Sequence, residues 1–411
     1  MRPTGLGRAY YWYLGAQVVS VGGTMMGYTA LFWLGLHVRH GGGMALASID
    51  AAMMLPMLLF SRRAGMVVAA RRSRHVLICT QSLQAAGPAA IGTLLAAGLM
   101  SIWILVPLCF ATGCIQCVDV TARQMFMLDL TGDQALRKGT SQYAAAIGLA
   151  KIAGPAFAGL VIAIGSQAAV FFADAGSFLA VVAVLCWLPD AGRGLARQRE
   201  QAAPRRFRWV LDLPGHVQAA ALMALLVGGF GWQFSVLNPL IAQNVLHVGA
   251  SGFGLFGTSA AVGGVLGSVY SSRQKNPGRY EFIVWSGLLG VAECTAAAMP
   301  DAWAYDAVLL VLGAAMQLFA VSATVYVQQA ASREQRGPAL SAYNSAFMGF
   351  VPAGAFVVVA IAATIGTRWA LVLPGLAIAV TAAVLGAAAS RQAPAVASGN
   401  PQPHNPRTAP P

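Results

Sequence analysis

Apolar runs of about 20 residues recur from Tyr10 to Ala389, each long enough to cross about 30 Å of hydrocarbon as a helix. The runs are continuous rather than alternating, so membrane-spanning barrel strands are excluded. They predict helices near 10–37, 43–61, 75–99, 101–127, 140–163 and 168–188, then near 217–243, 251–271, 281–299, 302–327, 337–363 and 368–389. The reading is an all-α membrane protein of about twelve transmembrane helices. One long Arg-rich polar stretch interrupts the pattern, so the chain divides into a first six-helix unit over 1–189, a cytoplasmic linker over 190–216 and a second six-helix unit over 217–389. Residues 390–411, rich in Pro and Ala and poor in large apolar residues, are expected to be a disordered cytoplasmic tail.

Composition agrees with lipid as the solvent. Only 9% of the 411 residues are charged and 57% are hydrophobic, too little charge to cover a soluble chain of this length. The net charge of +13 changes meaning once its placement is seen, because 23 of the 26 Lys and Arg residues fall in alternate connections. Arg39, Lys151 and Arg368 are the remainder. That bias is an orientation signal, and it predicts cytoplasmic termini and a cytoplasmic central linker in a multi-pass protein of a bacterial inner membrane. Anionic membrane lipid is the expected partner of the basic loops, and no nucleic acid is expected.

Chemistry-bearing motifs are few. All six cysteines lie within apolar runs, and Cys114-Ile-Gln-Cys117 has redox spacing but sits in mid-helix, so neither a disulfide framework nor a redox fold is implied. Gly252-Phe253-Gly254-Leu255-Phe256-Gly257 spells a dinucleotide-binding pattern with no preceding strand and no suitably placed acid after it, and reads as helix packing. The six histidines lack metal-ligand spacing. No cofactor, no metal and no enzyme activity are expected.

The halves echo each other weakly: Gly65 precedes Arg71 by the same interval as Gly267 precedes Arg273, each after the second helix of its half. Such repeats suit transporters built from two parallel six-helix units. A longer match lies in helices 4 to 6, with Asp119, Ala122-Arg123-Gln124, Gly154-Pro155-Ala156-Phe157-Ala158-Gly159 and Phe171-Phe172-Ala173-Asp174-Ala175-Gly176-Ser177-Phe178-Leu179. Asn238-Pro239-Leu240, Gly252-Phe253-Gly254, Arg336-Gly337 and Ser341-Ala342-Tyr343-Asn344 extend it through the second half. Together they resemble the branch of the major facilitator superfamily that holds the enterobactin exporter and drug-efflux proteins.

The resemblance implies alternating access about a midplane site, with Gly154 and Pro155 in an exporter-type helix-5 motif. Small residues there admit a close neighbour and Pro155 permits a bend, so both helix packing and a state-dependent hinge stay open. There are also departures. Ala69-Ala70 stand where the superfamily usually has Asp-Arg in the loop after helix 2, Arg62-Arg63 replace expected apolar residues, and Gly23 follows Ser20-Val21-Gly22 where related exporters often have an acid.

An ionisable group at membrane depth is costly and so requires a partner or a task. Asp50, Asp119, Lys151, Asp174 and Glu293 are in that position. By the class architecture that the resemblance implies, Asp119, Lys151 and Asp50 rank first, and with Arg123, Gly154 and Pro155 they form the coupling or gating set. Asp119 is read as pairing with Arg123 one turn on, or with Lys151 as counter-charge. Lys151 has a second reading, attraction of an anionic substrate, and Asp50 has a bland one, snorkelling near the periplasmic end. Asp174, standing where the family often has Asn, reads as an interhelical hydrogen-bonding group ahead of a proton carrier. Gln17, Gln116, Trp232, Gln233, Asn238 and Gln317 are the candidate substrate-binding residues, each equally compatible with ordinary packing.

The leading expectation is a monomeric secondary exporter of a small organic molecule, a siderophore or an amphiphilic drug, working as a proton antiporter because no nucleotide-binding motif is present. The alternatives are a nutrient importer and a non-transporting sensor or scaffold of the same fold.

Overall fold

The computed structural model describes residues 6–188, 215–274, 280–330 and 336–397. Its helices are α1 Arg8–His37, α2 Gly43–Ala69, α3 Ser73–Ala96, α4 Ile102–Ala163, α5 Gln167–Trp187, α6 Gly215–Leu226, α7 Phe234–Asn244, α8 Ala250–Arg273, α9 Glu281–Ala298, α10 Ala302–Ala330, α11 Arg336–Gly349, α12 Val351–Thr364 and α13 Trp369–Ala397. Among the described residues, 11 segments are long and apolar enough to span a membrane. The 24-residue α3 stands outside that set because Thr80, Gln81, Ser82 and Gln84 lower its hydropathy, yet it packs fully against α4 and α5. Backbone polar groups have no partners in hydrocarbon, so helices satisfying their own hydrogen bonds are the form such a sequence must take.

Three elements differ from the sequence expectation. The connection expected between the helices ending near 127 and starting near 140 keeps helical hydrogen bonding, so α4 is continuous for 62 residues. It nevertheless reverses direction. A Cβ on Gly139 would lie 2.5 Å from the Thr131 methyl, eight residues back, whereas a straight helix separates such positions by about 12 Å. Two spans, Ile102–Thr131 and Lys138–Ala163, therefore form the arms of a helical hairpin. Second, α2 runs on through Arg63 to Ala69, past its expected end. Third, α13 continues to Ala397, so residues 390–397, expected to be disordered, are helical. The expected linker lies almost wholly outside the described residues, as do residues 398–411 of the tail.

The seventh and eleventh spans are each broken. A π turn over Val227–Gly231 separates α6 from α7, and Phe350 separates α11 from α12. The breaks face one another. A Cβ on Gly354 would overlap the Gly229 carbonyl, and one on Gly228 would overlap the Phe347 carbonyl, so only glycine admits this approach of two backbones. The Gln233 amide, 1% exposed, donates to Gly229 O at 2.8 Å and Val351 O at 3.0 Å, satisfying carbonyls at both breaks.

Helices α1–α5 pack on one another, as do α6–α13, and the two sets meet chiefly through α4 with α8 and α2 with α12. Alternate connections define two faces. One carries the short turns 38–42, 97–101, 164–166, 245–249, 299–301 and 365–368, with Gly42 at φ 118° closing the first of them. The other, basic face carries Arg8, Arg71, Arg72, Arg74 and Arg273 at helix ends. On the short-turn side a single apolar core joins both sets, and Gly43 lies against Val359 and Leu240. Toward the basic face a separate core of Tyr10, Tyr13, Val76, Leu77, Phe126 and Leu185 belongs to α1–α5 alone. The short-turn face is thus where the two sets are sealed together.

Candidate translocation and coupling site

Asp119 is completely buried in the first bundle. Its carboxylate accepts hydrogen bonds from Thr80 Oγ1 at 2.7 Å and Gln81 Nε2 at 2.8 Å on α3, and from Arg123 Nε at 2.6 Å one helical turn later. Arg123 Nη1 donates in turn to Gln17 Oε1 on α1 at 2.7 Å. Asp119 and Arg123 form an ion pair. A buried pair requires its remaining lone pairs and protons to be satisfied, and the hydroxyl and amides of α3 and α1 supply this. Thr80 and Gln81 were not candidates from sequence. Their spacing on a polar face of α3 was the available signal.

Lys151 does not join this network. It is exposed, and its neighbours along the chain face elsewhere: Gly154 meets α1, while Gly148 and Ile152 meet α8. The expectation that Lys151 serves as counter-charge to Asp119 is therefore replaced by Arg123. The physical reason is register: Arg123 lies on the same face of the same helix, while the second arm of α4 turns its lysine away.

Asp50 is 4% exposed rather than snorkelled, and it bridges the two bundles. Ser235 Oγ on α7 donates to Asp50 Oδ1 at 3.1 Å, while Oδ2 is buried without a partner. Asp174 and Glu293 are also buried, at 5% and 2%, each with an unpartnered oxygen, so the interhelical hydrogen bond expected of Asp174 is not made: α1 presents Gly23 and Gly27 to it rather than a donor. Asp306, near the start of α10 where the sequence places it at the membrane edge, accepts from Ser259 Oγ on α8 at 2.8 Å.

Gly154 and Pro155 occupy the junction of three helices. A Cβ on Gly154 would stand 2.5 Å from Met25 Cβ and 2.8 Å from the Gly22 carbonyl on α1. The Pro155 ring and carbonyl meet Gly257 and Gly254 on α8, and Thr258 Oγ1 donates to Ile152 O at 3.2 Å. Trp33 stacks on Phe253 across the same seam with ring centroids 5.7 Å apart. The exporter-like motif is thus the place where the first bundle bears on the second.

Of the residues named as substrate contacts, Gln17 is held by Arg123, Gln233 by the two broken spans, and Asn238 accepts from Tyr305 OH at 2.9 Å, all three buried. Gln116 is partly buried and accepts from Gln84 Nε2 at 2.6 Å. Gln317 is also partly buried, beside Gly267. Trp232, 41% exposed at the end of the π turn, packs edge-on against Phe347 at 5.8 Å.

Comparison with known proteins places these features in context. A sequence profile described as a transmembrane secretion effector of the major facilitator type matches residues 8–410. The Staphyloferrin A transporter of Staphylococcus aureus (strain NCTC 8325 / PS 47) is 24% identical over 252 residues, which span 60% of this chain and 62% of that protein. The nucleoside transporter NupG is similar in structure, with a TM-score of 0.72 and 13% identity over 93% of this chain and 99% of its own. A bacterial homologue of the iron transporter ferroportin in an inward-facing state has a TM-score of 0.66 and 14% identity, covering 92% of this chain and 98% of its own.

Proposed function

We propose, from the premise that this chain belongs to the transmembrane secretion effector family of major facilitator transporters, that it exports a small organic molecule by proton-coupled alternating access. Family membership makes the chain a multi-pass membrane transporter rather than an enzyme. The observation that carries the rest is the asymmetric seal. Two bundles bear on one another through Gly159, Gly254 and Pro155 at the short-turn side, while the basic-side core of α1–α5 stands apart from the core that runs through the second bundle. Rocking about that contact would expose a midplane site to either face in turn. With the basic face cytoplasmic, this conformation is closed to the periplasm.

A siderophore is the favoured substrate class, supported by the matching Staphyloferrin A transporter and by the exporter-like Gly154-Pro155 segment. A strain lacking the gene is expected to retain its own siderophore inside the cell or to become sensitive to amphiphilic drugs. Unchanged secretion together with unchanged sensitivity would sink the export reading. Orientation is tested separately: reporter fusions within 190–216 and after residue 397 should both report cytoplasm in an inner membrane, following the basic bias. Fusions active only outside would invert the map and turn the seal toward the cytoplasm.

A further inference from the structure

The polar interior of the first bundle extends well beyond Asp119. On α1, Gln17, Ser20, Thr24 and Tyr28 recur at steps of three and four residues and therefore stack along one helix face. Arg123, Asp119, Gln116 and Thr112 repeat that spacing on α4. Between them α3 supplies Gln81 to Asp119 and Gln84 to Gln116. Since α1 and α3 run inward from the basic face and α4 runs toward it, the three stripes descend together to the level of Asp174 on α5.

There the seam opens into a cavity of about 40 Å³, lined by Thr24, Tyr28, Gln84, Thr112, Gln116 and Asp174 among others. That is room for a few water molecules at about 10–15 Å³ each. Gln17 Nε2, Ser20 Oγ, Gln81 Oε1 and Asp174 Oδ1 are all buried along this route without a hydrogen-bond partner in the protein. Buried polar atoms left open in this way are the ones that ordered water satisfies.

Space for the acid is built into α1. A methyl group on Gly27 would overlap Asp174 Oδ2, and one on Gly23 would overlap Ser177 Oγ. The titratable and charged groups around Asp174 are Tyr28 from α1 and Cys109 from α4, with Asp119 and Arg123 farther along α4 already neutralising one another. From α3 the cavity receives Gln84 and Pro88, and from α2 Met53, so among the described residues no cation lines it.

We propose that Asp174 is a proton-binding site, served by water in the polar seam of α1, α3 and α4. A proton passes from cavity water to a carboxylate oxygen of Asp174, giving the neutral acid, and returns to water when it leaves, so no other reactant is needed. The inference deepens the proton-coupled reading by naming the group, yet proton binding is measurable without any substrate.

The test is infrared difference spectroscopy of the full chain in lipid bilayers, titrated with pH in H₂O and in D₂O. The expected result is a protonated-carboxyl band that titrates and shifts in D₂O. It should be lost in Asp174→Asn, return at a displaced position in Asp174→Glu, and survive in Asp50→Asn. An Asp174→Asn spectrum from which no band is lost, or a band indifferent to pH or to D₂O, overturns the proposal. Should Asp174→Asn fail to fold, Gly27→Ala replaces it: the added methyl must displace the band's pH midpoint, and an unmoved midpoint refutes the site. A chain that binds this proton but moves neither siderophore nor drug leaves the inference standing while the export reading falls.

Discussion

Gly159→Leu is expected to abolish transport while leaving the protein folded in the membrane. A Cβ at this position would lie 2.8 Å from the Ala250 carbonyl and 3.1 Å from Gly254 Cα, so the two bundles touch here backbone to backbone. Overpacking such a contact costs about 1–3 kcal/mol, which moves a two-state equilibrium by roughly 5–150-fold. The penalty applies only while the short-turn face is closed, because each bundle packs separately once they part. The variant should therefore populate the state open on that face. The check is a cysteine placed at Gly43 in a chain freed of its native cysteines: half-buried against Leu240 and Val359, it should react faster from that side when Gly159 is leucine. Normal transport with an unchanged rate of cysteine reaction would show that the α4–α8 contact is not the moving joint.

The second large effect is expected at Arg123. Replacing it by methionine strands the fully buried Asp119, and breaking a buried pair from one side costs about 3–5 kcal/mol. Protein level in the membrane should fall sharply. Asp119→Asn keeps the polar contacts to Thr80 and Gln81 but leaves the guanidinium without its anion, so it too is destabilising. The double change Asp119→Asn with Arg123→Met removes both charges and should recover most of the lost protein, a coupling that a double-mutant cycle measures directly. Lys151→Met, on an exposed side chain outside the network, should leave protein level near that of the unmodified chain. Strict additivity of the Asp119 and Arg123 changes, or a collapse of protein level in Lys151→Met, would contradict the geometry. If the double variant folds and still couples to protons, Asp119 is structural, in keeping with Asp174 as the proton site.

Much of the molecule follows from chain-local physics. Hydrocarbon thickness sets the length of every apolar run, so the spans from Arg8 to Thr364 stand close to where hydropathy put them. The Asp119–Arg123 pair was also legible, because a four-residue step returns to the same helix face whatever surrounds it. Gly154 and Pro155 announced a close contact for a similar reason: a small side chain beside an imino acid is a property of the residues themselves.

Contacts between helix faces were not legible, because a sequence states which residues share a face but not which face it meets. Only the folded chain turned Lys151 away from Asp119 and brought Thr80 and Gln81 to it. It also set Asp50 against Ser235 across the bundle boundary, where sequence allowed a snorkelling acid. The facing breaks at Val227–Gly231 and Phe350 depend on a second backbone being present, so propensity alone could not predict them. By itself the sequence determined the solvent, the spans and the stock of buried charge, all consequences of the cost of putting polar groups into lipid. The tertiary structure decided which charge is neutralised and which is left open to water, because neutralisation depends on distances of a few ångströms between residues far apart in the chain.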